Sequence, residues 1–156
     1  MARRVLIPLL ALLLLLGTAS VALGKPSERF DDERGIELIS GNGRTTIALR
    51  GAVIGSVGSG WVWVTDLPGG AETDIFVAGD EDSYQIDAQT TAYRGDNLRF
   101  RVFRGKWRVR IRGVDIDVSA VGTGFVGIAG RSGLYRVAGG PERRWPEEWK
   151  TITLGP

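Results

Sequence analysis

Residues 98–118 read LRFRVFRGKWRVRIRGVDIDV, and this alternation of charged with apolar side chains limits the fold more than any other feature. Successive side chains of a strand point to opposite faces of a sheet, so a period of two leaves one face apolar and the other charged. A helix would spread the arginines around its axis. Leu98, Phe100, Val102, Trp107, Val109 and Ile111 therefore share one face. Arg99, Arg101, Arg108 and Arg110 share the other, followed by Asp115 and Asp117. A slip of one residue would bury the arginines, which fixes the parity.

Glycine, at 23 of 156 residues, punctuates the rest of the chain. Turn signals recur every eight to twelve residues, the spacing of an all-β sandwich or barrel. Asn42-Gly43 predicts a type I′ hairpin that faces Ile39 with Thr46 and Leu38 with Ile47. Gly58-Ser59, which suits a type II′ turn, faces Ile54 with Trp63, and a loop at Gly95-Asp96 faces Tyr93 with Leu98. Loops at Arg104-Gly105 and Arg112-Gly113 would lay Arg99 beside Arg110 and Asp115, and Arg101 beside Arg108 and Asp117. The expected fold over residues 35–156 is an all-β antiparallel meander of ten to twelve short strands, forming a sandwich or flattened barrel.

Residues 1–24 have another character. MARR is basic, Val5–Leu16 is apolar apart from Pro8, and the small residues GTASVALG follow. This is the layout of a secretory signal, with cuts expected after Ala22 or Gly24. Val5–Leu23 also approaches the roughly 20 residues that span a bilayer, so an uncleaved membrane anchor with a transmembrane helix is the alternative. Both readings export the remainder to the extracytoplasmic side, with residues 25–34 as a linker. Without Arg3 and Arg4, 18 basic side chains face 18 acidic ones, so nucleic acid is not an expected partner. The charges are unevenly placed. Residues 51–93 hold seven acidic and no basic side chains, whereas 94–112 hold eight basic and one acidic, an asymmetry open to pairing within the fold or to self-association.

The absence of histidine and cysteine excludes Ser-His-Asp and Cys-His catalysis, histidine-bound metals and disulfides. No cofactor or metal is expected. The leading reading is a secreted or anchored non-catalytic binding or structural module of the cell envelope. It would contact an anionic polymer or acidic protein through Arg99, Arg101, Arg108 and Arg110, because the guanidinium fork matches carboxylate and phosphate. Arg99 and Arg101 stand out, since the aspartates serve the other pair. The alternative is a carbohydrate-binding module that stacks sugars on Trp145, Trp149 and Trp61, with Trp63 and Trp107 in the core. A third reading, glycoside hydrolysis by Asp115 and Asp117, conflicts with the neighbouring arginines, which keep both carboxyls ionised. Asp80, Glu81 and Asp82 read as a solvated acidic loop, and Arg94-Gly95-Asp96 as a hairpin tip.

The run YRGDNLRFRVFRGKWRVRIRGVDIDVSAVGTG, at the centre of a likeness over residues 70–140, resembles small exported all-β proteins of GC-rich bacteria. The resemblance rests on Arg-Gly and Gly-x-Gly turns between alternating strands. It implies an exported all-β fold and assigns no activity, cofactor or site residue.

Overall fold

The computed structural model describes residues 35–155; the expected signal or anchor and the linker lie outside them. The described residues form one antiparallel six-stranded sheet, with no helix among them: β1 (Gly35–Asp66), β2 (Asp74–Gln85), β3 (Thr90–Phe103), β4 (Trp107–Val137), β5 (Arg143–Arg144) and β6 (Lys150–Leu154). The all-β expectation holds, but the meander of ten to twelve short strands does not. β1 and β4 are single strands of 32 and 31 residues that run straight through Asn42-Gly43, Gly58-Ser59 and Arg112-Gly113. β3 runs through Gly95-Asp96 in the same way. Arg104-Gly105 does turn the chain, both residues at φ 62°, yet it links β3 to β4, which lie on opposite sides of β1.

The two long strands pair twice. Residues 52–66 of β1 lie between β3 and residues 107–121 of β4. Residues 35–49 of β1 then lie between that same stretch of β4 and its continuation, residues 122–137. A single ribbon is thereby rolled on itself, with β2 at one edge and β5 and β6 on β4 at the other.

Glycine makes the rolling possible. Gly43 faces Gly130, Gly51 faces Gly122 and Gly60 faces Gly113 along the β1–β4 ladder. At each of these positions a Cβ would strike the facing strand's backbone, so only a pair of glycines lets the strands approach and coil this tightly. Gly43, Gly95 and Gly113, which resemble turn residues in sequence, are instead points of close strand contact.

A crease crosses the strands where residues take left-handed backbone: Ser40 (φ 47°), Asn97 (φ 51°) and Asp115 (φ 51°). Side chains replace the broken ladder bonds there. The Ser40 N–H donates to Asp117 Oδ1 at 2.9 Å, and the Asp115 N–H donates to Asn42 Oδ1 at 2.9 Å. Inward parity switches at this line, from Val57 to Val62 in β1 and from Ile111 to Ile116 in β4. The core is built from Leu38, Ile47, Phe100, Trp107, Ile111 and Ile128, and the Trp107 indole donates to the Gly51 carbonyl at 3.2 Å. The apolar face read from residues 98–111 is buried as expected, with Arg99, Arg101, Arg108 and Arg110 all exposed.

Candidate binding face

Because β1 separates β3 from β4, the arginine ladder is divided. Arg99 sits opposite Ser56 and Arg101 opposite Ile54, while Arg110 sits opposite Trp63 and Arg108 opposite Thr65. Ser56 and Trp63 are seven residue steps apart along β1, roughly 23 Å of strand, and the crease intervenes. The four arginines therefore do not form one patch, and the rows that placed Arg99 beside Arg110, and Arg101 beside Arg108, are replaced by two separate surfaces.

The tryptophans expected to stack sugars are also divided. Trp145 is 5% exposed, lies over Gly41, Gly130 and Gly133, and donates its indole N–H to the Leu134 carbonyl at 2.9 Å. It closes one end of the core and has no face left for a ligand. Trp149 is 45% exposed and lies flat over Gly127, with the Arg44 guanidinium 5.6 Å from its ring centre. Trp61 is half-buried on the outer face. Trp107 is core as expected, but Trp63 is not, because the parity switch at Gly58–Gly60 turns it outward next to Trp61.

Trp61 and Trp63 stack with centroids 5.4 Å apart and planes 8° from parallel. Tyr84 of β2 leans against Trp61 at 5.9 Å. Arg94 lies 5.4 Å from the Trp61 centroid and Arg110 lies 5.6 Å from that of Trp63, so each indole carries a cation. Each such contact contributes about 0.5–1 kcal/mol at an exposed site and holds the guanidinium over the ring. Beyond Arg110, a groove of about 490 Å³ opens between Trp63 and Trp149, bordered by Arg44 and Thr46.

The strand register places these side chains in adjoining rows. One runs Asp82, Arg94, Trp61, Arg112, Arg44; the next runs Tyr84, Ala92, Trp63, Arg110, Thr46, Gly127. A third carries Thr65, Arg108, Ala48 and Phe125. Five arginines stand in these rows against one carboxylate, Asp82 at the β2 end. Arg108 and Arg110 thus share a face with Trp61 and Trp149, and the two rival sequence readings meet on one surface. Arg44, Arg94, Trp63 and Tyr84 were not legible as members. The one local hint was the spacing of Trp61 and Trp63, two apart on one strand.

The remaining candidates have structural duties. Asp117 anchors Ser40, and Asp115 lies at the crease itself. Arg94-Gly95-Asp96 lies within β3, with Gly95 against Gly60 and Arg94 folded over Trp61, so it is not a hairpin tip. Asp80, Glu81 and Asp82 belong to edge strand β2, not to a loop. Burial, assisted by the Glu81 carboxylate, raises the Tyr93 phenol above its ordinary value. The Gln89 N–H, donating at 2.8 Å, lowers the Asp87 carboxyl in the turn between β2 and β3. Neither group borders the aromatic groove. Compared with known protein families, curated proteins and solved structures, the chain matches none.

Proposed function

We propose that this chain is an exported, non-catalytic binding module that holds an anionic polysaccharide on its aromatic and arginine-rich face. The observation that carries the reading is the stacked Trp61–Trp63 pair, flanked by Arg94 and Arg110 on the outside of the sheet. The edges of the stacked indoles give sugar rings an apolar ridge to lie against, and the guanidiniums held over their faces suit the carboxylates of a uronic acid. The face crosses six strand segments, roughly 24 Å at about 4.8 Å per strand, enough for about four sugars. The apolar leader supports export, and the lack of histidine and cysteine supports a role without catalysis.

Titration with hexagalacturonate tests this. Wild type is expected to bind, with affinity falling as salt rises. Trp61→Ala with Trp63→Ala should weaken binding about tenfold or more at every salt concentration, equivalent to about 1.4 kcal/mol. Arg44→Gln with Arg110→Gln should weaken it mainly at low salt and flatten the salt dependence. Unchanged binding in both double variants, or tighter binding of single-stranded DNA than of the uronate, would contradict the assignment.

A further inference from the structure

The other half of the divided ladder borders a second groove, of about 780 Å³, on the far side of the crease. Its exposed apolar surface comes from Ile54 of β1, 54% exposed, and Phe76 of β2, 49% exposed. Arg101 stands between them in register, its guanidinium 4.9 Å from the Phe76 ring centre. Arg99 stands one step along the strand face, between Ala78 and Ser56. The groove's other charges are largely engaged. Arg136 is bonded to Glu37 at 3.2 Å and to Glu142 at 2.6 Å, and Asp117 accepts the Ser40 N–H. Among the described residues, Arg99 and Arg101 have no carboxylate within 4.0 Å.

We infer that this groove binds a monomeric amphiphile with one anionic head, the head between Arg99 and Arg101 and the apolar tail on Ile54 and Phe76. The two guanidiniums, two residues apart on one strand face, lie roughly 7 Å apart at their origins and can share a carboxylate or phosphate. Asp117, separated from Arg99 by Ser56 in the same row, repels a second negative charge and so favours a single head over a polyanion. The groove's volume lies within the range of small-ligand sites. The exposed aliphatic and aromatic surface is the part that an inorganic anion would leave unused.

Titration with decyl phosphate below its micelle concentration, with decyl maltoside and inorganic phosphate in parallel, tests the inference on the full chain. Decyl phosphate should bind about tenfold or more tightly than either comparison compound. Arg99→Gln with Arg101→Gln should remove that preference and leave decyl maltoside unaffected. Ile54→Ser, at a 54% exposed position, should weaken both decyl compounds. Trp61→Ala with Trp63→Ala should leave decyl phosphate binding intact, which separates this site from the polysaccharide face. Three results would overturn the site: no binding, equal binding of inorganic phosphate, or retention on anionic vesicles without binding of the monomer.

Discussion

Replacing Gly51 with alanine should destabilise the fold by about 3 kcal/mol, whereas the same replacement at Gly69 should cost about 1 kcal/mol. Gly51 faces Gly122 across the β1–β4 ladder. A Cβ there would strike the Val121 carbonyl oxygen and stand 2.7 Å from the Gly122 Cα, and no flexible side chain can move aside. The ladder would have to part at that pair. Gly69 has nothing within 4 Å of its notional Cβ, and only its left-handed backbone, φ +87°, opposes a side chain. Urea midpoints of the two variants measure the difference. Equal losses would mean that the strands do not approach as closely as described, and the rolled architecture would lose its physical basis.

Trp145→Ala should cost about 4 kcal/mol of stability, the usual scale for emptying a large aromatic site, while leaving uronate affinity unchanged in the folded fraction. The indole covers three glycines and satisfies its own N–H on the Leu134 carbonyl, so its loss opens a cavity at the end of the core. Thermal unfolding and uronate titration of the same sample separate the two effects. A tryptophan that stacks sugars would behave in the opposite way, with an unchanged melt and lost affinity. Trp149→Ala, at a 45% exposed position, is the natural comparison.

Parity was legible in the sequence and connectivity was not. The burial of Leu98, Phe100, Val102, Trp107, Val109 and Ile111 follows from a period of two, whichever strand lies alongside. Alternating sequences pair apolar with apolar in many registers, so the facing pairs expected of short hairpins do not single out that topology. A facing pair such as Gly43 and Gly130 lies 87 residues apart, and each glycine alone is indistinguishable from a turn residue. The same ambiguity hid the binding face. Trp63 looked like core because a hairpin at Gly58-Ser59 set it against Ile54; once the chain passes straight through, Trp63 faces Arg110 on the outside. The sequence sets Asp115 and Asp117 beside Arg110 and Arg108, but Asp117 instead lies in the row of Arg99, beyond Ser56, and the direct neighbours of Arg99 and Arg101 are Ser56, Ile54, Ala78 and Phe76. Trp145 was unreadable for a related reason. A tryptophan beside proline resembles an exposed loop until the glycines it covers, from two distant strands, are brought together.

The assembly of Trp61, Trp63, Arg110 and Arg44 on one surface depends on β1 and β4 being continuous strands that pair with each other twice. Cross-strand proton contacts in a NOESY spectrum test that pairing most directly. The structure requires Cα-proton contacts from Gly51 to Gly122 and from Gly60 to Gly113. Contacts from Ile39 to Thr46 and from Ile54 to Trp63 would instead restore the short hairpins and disperse the face.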